Sequence, residues 1–183
     1  MFIQTEATPN PATLKFLPGR SVGDARTHQF ADPKAATGSP LAQRLFAVDD
    51  IQAVFLGPDF VTVTKSPGAD WSNIKPAVLG AIMEHFMAGE ALFDAETTDS
   101  GHTAVTGDSE LVNQIKELLD TRVRPAVAKD GGDIVFRSFQ DGVVYLHLLG
   151  SCAGCPSSTA TLKSGIENML RHFLPEVMEV RAV

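Results

Sequence analysis

Ile134-Val135-Phe136-Arg137-Ser138-Phe139-Gln140-Asp141-Gly142-Val143-Val144-Tyr145-Leu146-His147-Leu148-Leu149 decides the fold of the second half of this chain. Asp141-Gly142 is a dipeptide that accepts positive φ at both positions, which a two-residue hairpin turn requires. Ile134 to Phe139 and Val143 to Leu149 therefore read as a pair of antiparallel strands. In the second strand Val144, Leu146 and Leu148 share one face. Before the hairpin, Gly131-Gly132 stops helical structure. Leu111, Ile115, Leu118, Leu119 and Val123 form one helical stripe ahead of that stop. Pro125 is expected to kink or end the helix, because its ring clashes with the preceding turn. After the hairpin, Leu162, Ile166, Met169, Leu170 and Phe173 mark one side of a second helix. Met178, Val180 and Ala182 then alternate with Glu179, Arg181 and Val183 in a last strand. The order predicted is helix, strand, strand, helix, strand, with a three-stranded sheet under two helices.

The first half reads as a second small α+β domain. Phe2 to Glu6 and Thr13 to Leu17 are strand-like and flank a Pro9-Asn10-Pro11 turn. Residues 20–38 are read as irregular. A short helix runs from Ser39 or Pro40 to about Phe46. Ile51 to Leu56 and Phe60 to Thr64 are strands joined by Gly57-Pro58-Asp59. A longer helix carries Trp71, Ile74, Val78, Ile82 and Phe86 on one stripe. Between the halves, residues 93–108 lack periodicity and are small, polar and acidic, with four acidic and no basic residues. They read as a flexible linker. The expected organisation is a domain over 1–92, a linker over 93–108 and a domain over 109–183.

Composition narrows the function classes. The net charge is −7, and neither domain has a basic excess: 7 basic and 9 acidic residues in 1–92, 8 and 9 in 109–183. Nucleic acid is not an expected partner. No apolar run approaches the roughly 18 residues of a membrane span, so no membrane partner is expected. The first residues show neither a secretory signal nor an Arg-rich transit pattern. A cytoplasmic protein is expected, or a mitochondrial matrix protein in processed form.

The chain has two cysteines, and they stand together in Gly150-Ser151-Cys152-Ala153-Gly154-Cys155-Pro156, between the hairpin and the second helix. Pro suits a first helical position. Both sulfurs are thus expected at a strand-to-helix turn near free backbone N–H groups, a favourable place for anionic sulfur. Two cysteines do not make a disulfide framework. Four readings compete. The thiols could be packing residues. They could cycle as a dithiol–disulfide enzyme, but only one helix and one strand follow, too little for a thioredoxin-like order. They could give half of a zinc site, yet His28, His85, His102, His147 and His172 show no ligand spacing to them. They could give half the thiolates of an iron–sulfur cluster shared across a two-fold axis. The residues favour the last reading without settling it.

Asp130-Gly131-Gly132-Asp133, the hairpin, and Gly150-Ser151-Cys152-Ala153-Gly154-Cys155-Pro156-Ser157-Ser158-Thr159 together resemble the NifU C-terminal domain. Thr8-Pro9-Asn10-Pro11-Ala12-Thr13-Leu14-Lys15-Phe16-Leu17-Pro18-Gly19 is similar to the N-terminal domain of Nfu-type proteins. The two motifs in this order cover nearly the whole chain apart from the linker. The resemblance implies an iron–sulfur cluster scaffold or carrier and not an enzyme. It implies Cys152 and Cys155 as ligands of a [4Fe–4S] cluster. It also implies an upstream cluster donor, apo-protein clients, and a second copy of the chain when the cluster is bound. Asp130 and Asp133 are read as turn and capping residues, and Trp71 as core or interface. The first domain carries no identified chemistry, and docking to clients is its default reading.

Overall fold

A computed structural model describes residues 1–23, 26–93, 109–154 and 156–183. The chain divides into two compact units, Met1–Ser100 and Gly101–Val183. Most of the segment read as a linker, residues 94–108, lies outside the described residues.

The first unit holds a five-stranded sheet built from β1 (Gln4–Ala7), β2 (Thr13–Leu17), β3 (His28–Phe30), β4 (Ile51–Leu56) and β5 (Val61–Lys65). The spatial order is β1-β2-β5-β4-β3, antiparallel throughout. Asn10 shapes the first turn: its Oδ1 accepts from Ala12 N–H at 3.0 Å and its carbonyl from Thr13 N–H at 3.0 Å. Two helices pack on the sheet, α1 (Pro40–Phe46) and α2 (Trp71–Ala88). Ser39 caps α1 by accepting from Ala42 N–H, with Pro40 at the first position. Asp70 caps α2 by accepting from Ser72 N–H, and Gly89 ends it at φ +66°. Ile74, Val78 and Ile82 of the predicted stripe are buried with Phe16, Leu41, Leu45, Val54 and Val63. Fully burying such side chains stabilises by about 1.5–3 kcal/mol each. Trp71 and Phe86 flank this core half-buried, and the Trp71 indole N–H donates to the Pro11 carbonyl at 3.2 Å. Residues 20–38 are not wholly irregular. They contain β3 and a 3-10 turn, Ala35–Gly38. A three-residue strand is too short to show an alternating pattern.

The second unit has the predicted order. Its elements are α3 (Glu110–Leu118), α4 (Arg124–Lys129), β6 (Gly132–Gln140), β7 (Val143–Gly150), α5 (Pro156–Phe173) and β8 (Glu179–Ala182). The three strands lie in the order β6-β7-β8, with β6 and β7 antiparallel and β7 and β8 parallel. Asp141 at φ +50° and Gly142 at φ +77° make the hairpin turn that the dipeptide predicts. Pro125 does not end the first helix. A π-helical segment, Leu119–Val123, precedes it, and Arg124 N–H reaches back to Leu119 O. This resets the helix so that Pro125 falls in the first turn of α4, where its missing N–H matters least. Ile115, Leu119, Val123, Val127, Ile134, Phe136, Val144, Leu146, Ile166, Leu170 and Val180 form the core. Two residues expected on apolar faces are outside it: Phe173 is 44% and Met178 69% exposed. Phe173 sits under the Arg122 guanidinium at 4.8 Å, and Met178 precedes β8 and covers Gly142.

Candidate functional site

Cys152 stands between the end of β7 and the start of α5, the strand-to-helix turn that the sequence predicts. Cys155 lies outside the described residues, so the geometry belongs to the Cys152 side. The turn itself follows from its glycines. Gly150 at φ +64° and Gly154 at φ +79° take backbone conformations that other residues enter at a cost. Between them Ala153 N–H donates to Gly150 O at 3.1 Å and closes a tight turn around Ser151 and Cys152.

The loop leans against the corner between α4 and β6. Ser151 N–H donates to Gly131 O at 3.2 Å, and Ser151 Oγ donates to Asp130 O. A β-carbon on Gly132 would stand 2.6 Å from Cys152 Sγ and 2.8 Å from Leu149 O. Glycine at 132 therefore leaves the space that the sulfur occupies. On the other flank Thr159, in the first turn of α5, donates its hydroxyl to Cys152 O at 3.1 Å.

Asp133 is more than a turn residue. It is 3% exposed, its oxygens accept from Arg124 Nε and Nη2 at 2.8 Å each, and its Oδ1 also accepts from Ile134 N–H at 2.8 Å. Arg124 reaches Asp120 Oδ1 as well, at 3.2 Å. The fork fixes the helix to the first strand one residue from Gly132, and the hydrogen bonds to Asp133 hold the guanidinium firmly charged. Arg124 is not recognisable from sequence, since a lone arginine before a proline carries no local signal of its distant partner.

Cys152 is 8% exposed. Burial pushes its thiol up to about 11; the Ser151 hydrogen bond opposes this, and the charges of Asp130 and Asp133 add to it. The shift favours the neutral thiol over the thiolate while no cation is bound. Metal binding to such a ligand releases a proton. Among the described residues no group of three or more His, Cys, Asp or Glu side chains gathers to hold a metal ion. His147 is engaged elsewhere, its Nδ1 2.7 Å from Val183 O. No described helix is long and apolar enough to cross a membrane.

The second unit is thus a small α+β domain with a cysteine on a glycine-built turn ahead of a helix. Residues 115–181 match the family model described as NifU-like domain, and residues 3–89 match the one described as scaffold protein Nfu/NifU N terminal. A human protein named "NFU1 iron-sulfur cluster scaffold homolog, mitochondrial" is 51% identical over 184 residues, covering 100% of this chain and 72% of that protein. A Drosophila ananassae protein of the same name is 50% identical, covering 100% of this chain and 64% of its own length. The solution structure of a NifU-like protein from Saccharomyces cerevisiae aligns over 52% of this chain and 87% of that one, at 27% identity and TM-score 0.45. The chain belongs to the Nfu family of NifU-like proteins.

Proposed function

We propose that this chain is an iron–sulfur cluster scaffold and carrier. Cys152 and Cys155 from each of two chains ligate one [4Fe–4S] cluster, received from an upstream donor and passed to apo-proteins. The supporting observation is the Cys152 cradle: a sulfur on a fixed turn, against a glycine whose β-carbon would collide with it, in a domain that matches the NifU-like family. The described donor fits thiolate ligation of iron, and two thiolates per chain call for two chains to supply four. The cluster is cargo, so no turnover of a substrate is needed and the chain acts as a carrier rather than an enzyme. The domain organisation is a client-docking domain over 1–92, a linker over 93–108 and a cluster-binding domain over 109–183. We place the protein in the cytosol or, like its mitochondrially named relatives, in the mitochondrial matrix.

Burial of Cys152 weighs against the dithiol oxidoreductase, which needs an accessible thiol of depressed pKa. The test is transfer. Holo protein should activate an apo [4Fe–4S] dehydratase faster than equal free iron and sulfide, and should keep that advantage with an iron chelator present. Loss of all activation in chelator, or efficient reduction of insulin by the apo protein, would overturn the reading.

A further inference from the structure

The cysteine turn is held from both sides by hydroxyl groups, that of Ser151 buried and that of Thr159 half-buried. Ser151 Oγ ties the residue before Cys152 to Asp130 O, in the turn that follows α4. Thr159 Oγ1 ties the carbonyl of Cys152 itself to the first turn of α5 at 3.1 Å. A threonine inside a helix commonly returns its hydroxyl to a carbonyl of its own helix. Thr161 does so, donating to Ser157 O at 3.0 Å. Thr159 instead reaches seven residues back, out of the helix and into the loop.

We propose that Ser151 and Thr159 are positioning residues that set how long an iron–sulfur cluster stays on Cys152. The inference rests on the reading of Cys152 as a cluster ligand. A thiolate leaves iron when its loop swings away, and a departing ligand must carry its own carbonyl and neighbours with it. The Thr159 bond holds that carbonyl. The Ser151 bond holds the preceding residue against the Asp130-Gly131 turn. Partners of this kind, once removed, typically change metal retention by about 10–100-fold. Thr159 is half-buried, so removing its hydroxyl opens no core cavity and separates positioning from stability.

The full chain is loaded anaerobically with ferrous iron and sulfide, and loss of the cluster's visible absorption is followed after adding a ferrous chelator. Thr159→Val and Ser151→Ala should load to the wild-type iron content and release it at least about 10-fold faster. Thr159→Ser, which keeps the hydroxyl, should restore wild-type retention. The visible circular dichroism of the bound cluster should change in Thr159→Val and return in Thr159→Ser, while the apo wild type and the two apo Thr159 variants share one thermal midpoint. Equal retention in Thr159→Val and wild type overturns the proposal, as does a Thr159→Ser variant as leaky as Thr159→Val. If Ser151→Ala does not fold, the two Thr159 variants decide. A wild type that takes up no iron and sulfide overturns the cluster reading itself, and this inference with it.

Discussion

Gly132 and Cys152 face each other so closely that a β-carbon on the first would lie 2.6 Å from the sulfur of the second. The same β-carbon would meet Leu149 O at 2.8 Å and Cys152 N at 3.2 Å. Two of these neighbours are backbone and cannot rotate away. Gly132→Ala should therefore move the cysteine turn and destabilise the second unit by about 1–3 kcal/mol, as overpacking does. Thermal unfolding of residues 109–183 and iron content after reconstitution check this. Normal stability with normal iron content would show that the turn can yield.

The Arg124–Asp133 fork should matter for the second unit more than its surface ion pairs do. Asp133 is buried, so Arg124→Met leaves its carboxylate short of two charged donors. Arg124 is partly solvent-exposed, so a loss of about 2 kcal/mol is expected rather than the full value of a buried pair. The double variant Arg124→Met, Asp133→Asn should recover part of it. Denaturant unfolding of Arg124→Met, Asp133→Asn and the double variant measures the coupling; additive losses would mean that the fork contributes little.

The first unit should weaken in mild acid. His85 is fully buried, its Nδ1 is 3.5 Å from Glu90 Oε2, and neither ring nitrogen has a hydrogen-bond partner. Desolvation lowers its pKa first, the Glu90 charge works against this, and Arg44 lowers it further. The folded state therefore takes up the proton less readily than the unfolded chain. Stability is full above the ordinary histidine value, about pH 6.5, and falls as pH drops through it. His85→Leu should flatten the pH dependence of the first unit's melting between about pH 7 and pH 5. An unchanged slope would assign the acid sensitivity to other groups.

The two halves should be separable. Residues 93–108 are small, polar and acidic in sequence, a composition that favours proteolysis where it forms a linker, so cleavage is expected there. The fragment from residue 109 should fold alone, because its core closes on its own α3, α4, α5 and three strands. Limited proteolysis with mass analysis, then reconstitution of the fragment, tests both points. A fragment that is unfolded would contradict the division.

Much of the second unit was legible because its signals are local. Asp141-Gly142 names its own turn type, and Leu119, Ile166 and Val180 declare their faces by period. Their burial follows. Three features were not legible, each for a physical reason. β3 is three residues long and has no period. Pro125 normally opposes a helix, and only the π-helical reset before it lets the helix continue. Arg124 and Asp133 are ordinary charges in sequence, and only the fold brings them together. The position of Cys152 at a strand-to-helix turn was readable from Pro156 and the preceding strand. Its burial was not, since it depends on the close approach of Gly132, twenty residues away in sequence.

The most direct test of the central claim is the iron and sulfide content of anaerobically reconstituted protein, measured together with its mass in solution. A cluster shared by two chains predicts about four iron and four sulfide per dimer, one thiolate per iron. It also predicts return to monomer when the cluster is removed, and loss of both iron and dimer in Cys152→Ser and in Cys155→Ser. A monomer carrying a complete cluster, or a serine variant at either position that keeps it, would contradict the account.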